Sequence, residues 1–164
     1  MSGDGDQHMP PEPSVELIEL WVSKARRNLE MAEGAVSLGH WESCVFWCEQ
    51  AVEVYLKALF LATRRRTPPR THHVVDLGAE LGLPADLRED LVLAEEDYMA
   101  VRYPDAWLSV GEPEYDGEVA GERLSYAKRL AKWVEERTCE ASELQRNTGL
   151  PRAAGQAAAA EEGT

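Results

Sequence analysis

No apolar run in this chain approaches the ~20 residues that a membrane-spanning helix requires. Cysteine is scarce as well: Cys44, Cys48 and Cys139 are the full set. Cys44 and Cys48 stand one helical turn apart in an apolar stretch with no second Cys or His pair nearby, which reads as buried reduced thiols rather than metal ligands. His72 and His73 are adjacent, so their side chains point differently and seldom share one ion. No metal and no cofactor is expected. A glycine-rich phosphate loop is missing, and so is a nucleophile elbow around a serine or cysteine. Positive charge is also in short supply, with 17 basic against 30 acidic residues and a net charge of −13. That balance excludes a protein that coats nucleic acid by charge alone, because such binding draws on clustered Lys and Arg. The adjacent carboxylates at Glu95 and Glu96, and the pair Asp116 and Glu118, read as solvated faces of an acidic protein rather than an acid–base dyad.

What remains is the profile of one soluble, globular domain. The chain has 164 residues, 29% charged and 44% hydrophobic, enough to bury a core of its own. Residues 1–13 are acidic and proline-rich, with neither the basic stretch nor the apolar run of a secretory signal, and read as a flexible leader. Residues 143–164 hold Pro151, several glycines and the run Ala157–Ala160 with almost nothing large to pack, the composition of a disordered tail. The folded body is expected over 14–142, and the cytoplasm is the expected location.

The periodicity is helical throughout, with no period-two alternation. Ser14 suits an N-cap after Pro13, and Ile18, Trp21, Ala25, Leu29, Ala32 and Val36 recur at spacings of three and four up to Gly39. From Trp41 to Ala62 apolar residues cover nearly the whole circumference, the mark of a central helix. The exceptions Gln50, Glu53 and Lys57 share one polar stripe, either a solvent edge with an i,i+4 ion pair or a functional stripe facing a cleft or interface. Pro68 and Pro69 then open a loop. A short helix follows over 74–81, closed by Gly82. Leu87, Leu91, Ala94, Tyr98 and Val101 mark a further helix, which Pro104 should stop near Arg102. A last helix is predicted over 118–140. Four long helices and one short one, joined by loops, predict an all-α, up-and-down four-helix bundle.

Three segments resemble the HEPN domain family. The run from Trp41 to Ala58, containing Gln50-Ala51-Val52-Glu53-Val54-Tyr55-Leu56-Lys57-Ala58, is similar to the second helix of prokaryotic HEPN domains, with Gly39 and Trp41 at its start. Thr71-His72-His73-Val74-Val75-Asp76-Leu77 resembles the element that follows, and Arg102-Tyr103-Pro104-Asp105 the Arg-Tyr-Pro-Asp element of the same branch. The resemblance implies a four-helix bundle that commonly forms a homodimer. It also implies a neighbouring minimal nucleotidyltransferase as partner, in a toxin–antitoxin-like pair. Many members are metal-independent endoribonucleases in which four to six residues separate an arginine from a following histidine, and the family is also linked to nucleotide binding.

Metal-independent RNA cleavage needs a base, an acid and positive charge on the phosphorane, roles that His and Arg fill. Arg65 and Arg66 precede His72 with six and five residues between. An Arg-rich loop satisfies that loose spacing by chance, and the continuation seen in the ribonuclease branch is missing. His72 with Arg102 is the alternative catalytic pair. Gln50, Glu53, Lys57, Arg70, Tyr103 and Asp105 are the expected cleft or phosphate-binding residues. Each has a plainer role too: Arg102 favoured at a helix C-terminus, Asp105 a turn residue, Tyr103 a core or interface aromatic, His72 a helix-capping contact. Three readings follow. The first is a nucleotide- or RNA-phosphate-binding partner of a nucleotidyltransferase; the others are a His/Arg ribonuclease and a structural dimer.

Overall fold

The computed structural model describes residues 12–108, 111 and 114–148, and these contain five α-helices and no strand. Helix α1 covers Val15–Ser37, and the Ser14 hydroxyl accepts from the Leu17 N–H at 3.1 Å, the expected N-cap. Its predicted face is inside: Ile18, Ala25 and Ala32 are buried, with Trp21, Leu29 and Val36 packed on the core. Gly39 then takes φ +74°, a left-handed conformation that glycine adopts freely, and the chain reverses into α2.

Helix α2, Trp41–Arg64, is the central element. Val45, Ala51, Val52, Tyr55, Leu56, Leu59 and Phe60 are all at most 2% exposed. It packs along both α1 and α5, and α1 also touches α5. Each large side chain buried this way contributes about 1.5–3 kcal/mol of transfer free energy. Helix α3 is the short Val74–Glu80, and α4 is Ala85–Ala100, entered through Pro84. Leu87, Leu91 and Ala94 of α4 face inward, and the helix lies against α2, α3 and α5. No helix among the described residues is long and apolar enough to cross a membrane.

Two expectations need correction. Pro104–Leu108, read as plain loop, forms one turn of 3₁₀ helix, which suits a proline at its first position. Helix α5 is Gly117–Asn147, capped by the Asp116 carboxylate on the Val119 N–H at 2.9 Å, so it runs past the end expected near residue 140. The physical reason is packing by small residues: Ala141 lies on the Ile18–Leu61 cluster and Ser142 is buried. Extending a formed helix through Glu143 and Gln145 then needs no new nucleus. The remainder of the expected tail, 149–164, and nearly all of the expected leader fall outside the described residues.

Two polar networks tie the helices to one another. Arg26 of α1 makes a two-pronged contact with Glu135 of α5 at 2.8 and 2.6 Å, and the buried Tyr55 hydroxyl donates to the same carboxylate at 2.8 Å. Asp97 of α4, 6% exposed, accepts from Arg123 at 2.5 Å and from the Tyr115 hydroxyl at 3.1 Å. Cys44 and Cys48 are buried free thiols with sulfurs 3.9 Å apart, whereas Cys139 is exposed.

Candidate functional site

One flank of α2 carries Glu49, Gln50, Glu53 and Lys57, and this stripe faces other protein rather than water. Glu53 and Lys57 are 7% and 8% exposed and form an ion pair at 2.6 Å. The second Glu53 oxygen lies 2.7 Å from His72 Nδ1. An ionised carboxylate only accepts, so Nδ1 carries the proton of that bond. The His72 side chain is about half exposed, at 52%.

Tyr98 of α4 joins His72 to Arg102. The imidazole stacks on the phenol ring with centroids 4.2 Å apart and planes 22° from parallel. The Arg102 guanidinium carbon lies 4.0 Å from the centroid of the same ring and 4.8 Å from that of Phe46. Such cation–π contacts hold the guanidinium plane as well as attract its charge. Arg102 Nη1 donates to the Tyr98 carbonyl at 2.8 Å, and Nη2 to Glu49 Oε2 at 2.7 Å. Gln50 Nε2 donates to that same Glu49 oxygen at 2.9 Å. Burial pushes the Glu49 carboxyl above its ordinary value, against the pull of Gln50 and Arg102.

Beside this cluster a groove of about 650 Å³ runs between the loop after α2 and helix α4. Val75, Val92, Tyr98 and Met99 supply apolar wall, and Arg70, Thr71, His72, His73, Glu95 and Glu96 the polar part. Its two sides are tied together by His73 Nδ1 and Glu95 Oε1 at 3.0 Å. The other Glu95 oxygen accepts from the Val75 N–H in the first turn of α3 at 3.1 Å.

The sequence-selected residues therefore divide. His72, Arg102, Gln50, Glu53 and Lys57 meet in one polar cluster, and Arg70 lines the adjoining groove. Tyr103 is 47% exposed and Asp105 is exposed in the 3₁₀ turn, so both lie outside that cluster's buried part. Three arginines at the end of α2 and in the loop after it are held by carboxylates. Arg64 and Arg66 each approach Glu80 at 3.7 Å. Arg65, at the C-cap of α2 with φ +54°, pairs with Glu12.

Sequence reasoning missed Glu49, Phe46 and Tyr98 as site residues. Glu49 could have been found, because it lies one turn before Glu53 on the same stripe. Tyr98 was hidden by its place in the apolar repeat of α4.

Chemically, the network offers an oriented imidazole, a planar cation and an aromatic face within one cluster. A guanidinium fork fits phosphate oxygens, and the Tyr98 ring, already stacked by His72 and Arg102, holds those two groups side by side.

The comparisons with known proteins agree with this architecture. The family model described as the HEPN domain matches residues 18–137. Among solved structures, TT1696 from Thermus thermophilus is 33% identical with a TM-score of 0.64, over 73% of this chain and 97% of that one. ST0689, an archaeal HEPN homologue, is 28% identical with a TM-score of 0.62, over 74% of this chain and 97% of its own. No curated protein matches. The family model spans most of the chain, from α1 into α5, and on that ground the protein belongs to the HEPN family.

Proposed function

We propose that this HEPN domain binds the phosphate of a nucleotide or RNA at the His72–Tyr98–Arg102 cluster and serves as the binding partner of a minimal nucleotidyltransferase in a toxin–antitoxin-like pair. One observation carries the phosphate part: His72 and Arg102, 30 positions apart, both rest on the ring of Tyr98 beside an open groove. Arg102 spends one N–H on each of two protein acceptors, and a guanidinium has five to offer. The nucleotidyltransferase, and a second copy of this chain, enter through family membership.

A second reading is favoured by the Glu53–His72 contact. A carboxylate on Nδ1 fixes the tautomer and orientation of an imidazole, as it does for a general base. The second reading is thus a metal-independent endoribonuclease.

The test uses an adenine hexaribonucleotide without terminal phosphates, titrated into the purified protein and also incubated with it in EDTA. Saturable binding is expected, weakened on the order of tenfold or more in His72→Ala and Arg102→Lys variants of unchanged helical content. Absence of binding by the wild type overturns the proposal. Cleavage that survives chelation and vanishes in His72→Ala moves the conclusion to the ribonuclease.

A further inference from the structure

We infer that Glu49 is an internal anion that competes with an incoming phosphate for the guanidinium of Arg102. This inference rests on the phosphate-binding reading above and adds its regulation.

The arrangement of the pair is one-sided. Arg102 and Gln50 both donate to Oε2 of Glu49, while Oε1 is buried with no hydrogen-bond partner among the described residues. A purely structural Arg–carboxylate pair gains most from a two-pronged fork, as Arg26 and Glu135 make in this same molecule. Burial is also asymmetric: the Glu49 side chain is 2% exposed and that of Arg102 16%. Of the two, the cation is the member nearer to solvent. An incoming phosphate therefore meets Arg102 before Glu49.

Arg102 need not travel for the exchange. Phe46 and Tyr98 hold its plane, and the Nη1 bond to the Tyr98 carbonyl is independent of Glu49. Phosphate that used only the unspent N–H groups would leave Glu49 untouched; competition means that it takes Nη2 from Glu49. When phosphate takes that N–H, Glu49 is left buried with Gln50 as its remaining donor. The charges around it are then Glu53 on the same helix, already engaged by Lys57 and by His72 of the loop, and Arg102 now neutralised by ligand. A buried carboxylate in that position takes a proton from solvent, and Oε1 is the free oxygen to receive it. The exchange is balanced: the Arg102–Glu49 contact breaks, the Arg102–phosphate contact forms, and the charge left on Glu49 is neutralised, wholly or in part, by a proton from solvent. Binding is thus favoured as pH falls toward the carboxylate range.

The experiment is calorimetric titration of the same hexaribonucleotide at pH 7 in two buffers of different ionisation enthalpy, which counts protons exchanged on binding. Its phosphodiesters do not titrate near this pH. The wild type is expected to take up a fraction of a proton. Glu49→Gln, which keeps the shape and removes the competing charge, is expected to bind on the order of fivefold tighter and to lose that uptake. Wild-type binding without proton uptake overturns the inference. So does a folded Glu49→Gln that binds no tighter, or one that retains the uptake and so assigns it to His72. If Glu49→Gln does not fold, the proton count of His72→Ala decides: uptake that persists there upholds the inference, and uptake that vanishes overturns it. Failure of the wild type to bind RNA at all is a different outcome, which overturns the phosphate reading and this inference with it.

Discussion

His72 Nδ1 lies 2.7 Å from Glu53 Oε2, which ties a loop residue to a buried carboxylate 19 positions earlier in the chain. The other oxygen of Glu53 holds Lys57 at 2.6 Å, so one carboxylate satisfies two cationic or donor groups. Removing it leaves Lys57 buried without its counter-charge. Glu53→Ala is therefore expected to cost about 3 kcal/mol, because a lone buried charge is worse than no charge. The double variant Glu53→Leu with Lys57→Met should recover most of that loss. Urea denaturation of the three proteins checks both values, and equal losses in the single and double variants would refute the argument.

His73 supplies a pH dependence. Its contact with Glu95, and after that the field of Glu95, raises its pKa above the ordinary imidazole value of about 6.5. The imidazolium is thus favoured in the folded protein. The stabilisation is complete below the unfolded-state pKa and is lost as pH rises through the folded-state one. Proton NMR titration should place the His73 midpoint above that of a model peptide, and Glu95→Gln should bring it down. Because the pair ties the loop after α2 to α4, tryptic cleavage at Arg70 is expected to quicken as pH rises through that midpoint.

Three helical glycines make opposite predictions from their surroundings. A Cβ on Gly78 would stand 2.3 Å from Leu91 Cδ1, and Leu91 is fully buried. Gly78→Ala should destabilise by about 1–3 kcal/mol despite the better helix propensity of alanine. Gly34 and Gly121 are exposed, and a Cβ there meets nothing within 4 Å. Each change to alanine should stabilise by about 0.5–1 kcal/mol. Thermal melts of the three variants give the signs directly.

The helices were legible in the sequence because a helix repeats its burial pattern every three or four residues. Ile18 through Val36 and Leu87 through Ala94 declare their inner faces locally, and Ser14 announces its cap. The all-α bundle follows from such local signals. The length of α5 did not, because the residues beyond 140 are held by contact with the Ile18–Leu61 cluster and by continuation of an existing helix.

The site was half legible. Gln50, Glu53 and Lys57 announce a stripe by their spacing on α2, and the family resemblance pointed to His72 and Arg102. By itself the sequence determined which residues share a helix face, since that depends on a fixed turn of 3.6 residues. Only the tertiary structure decided that the stripe is buried, that Glu49 pairs with Arg102, and that Tyr98 joins the two halves. Those relations depend on how α4 and the loop after α2 are set against α2. No local spacing encodes them, because they arise from packing between segments far apart in the chain.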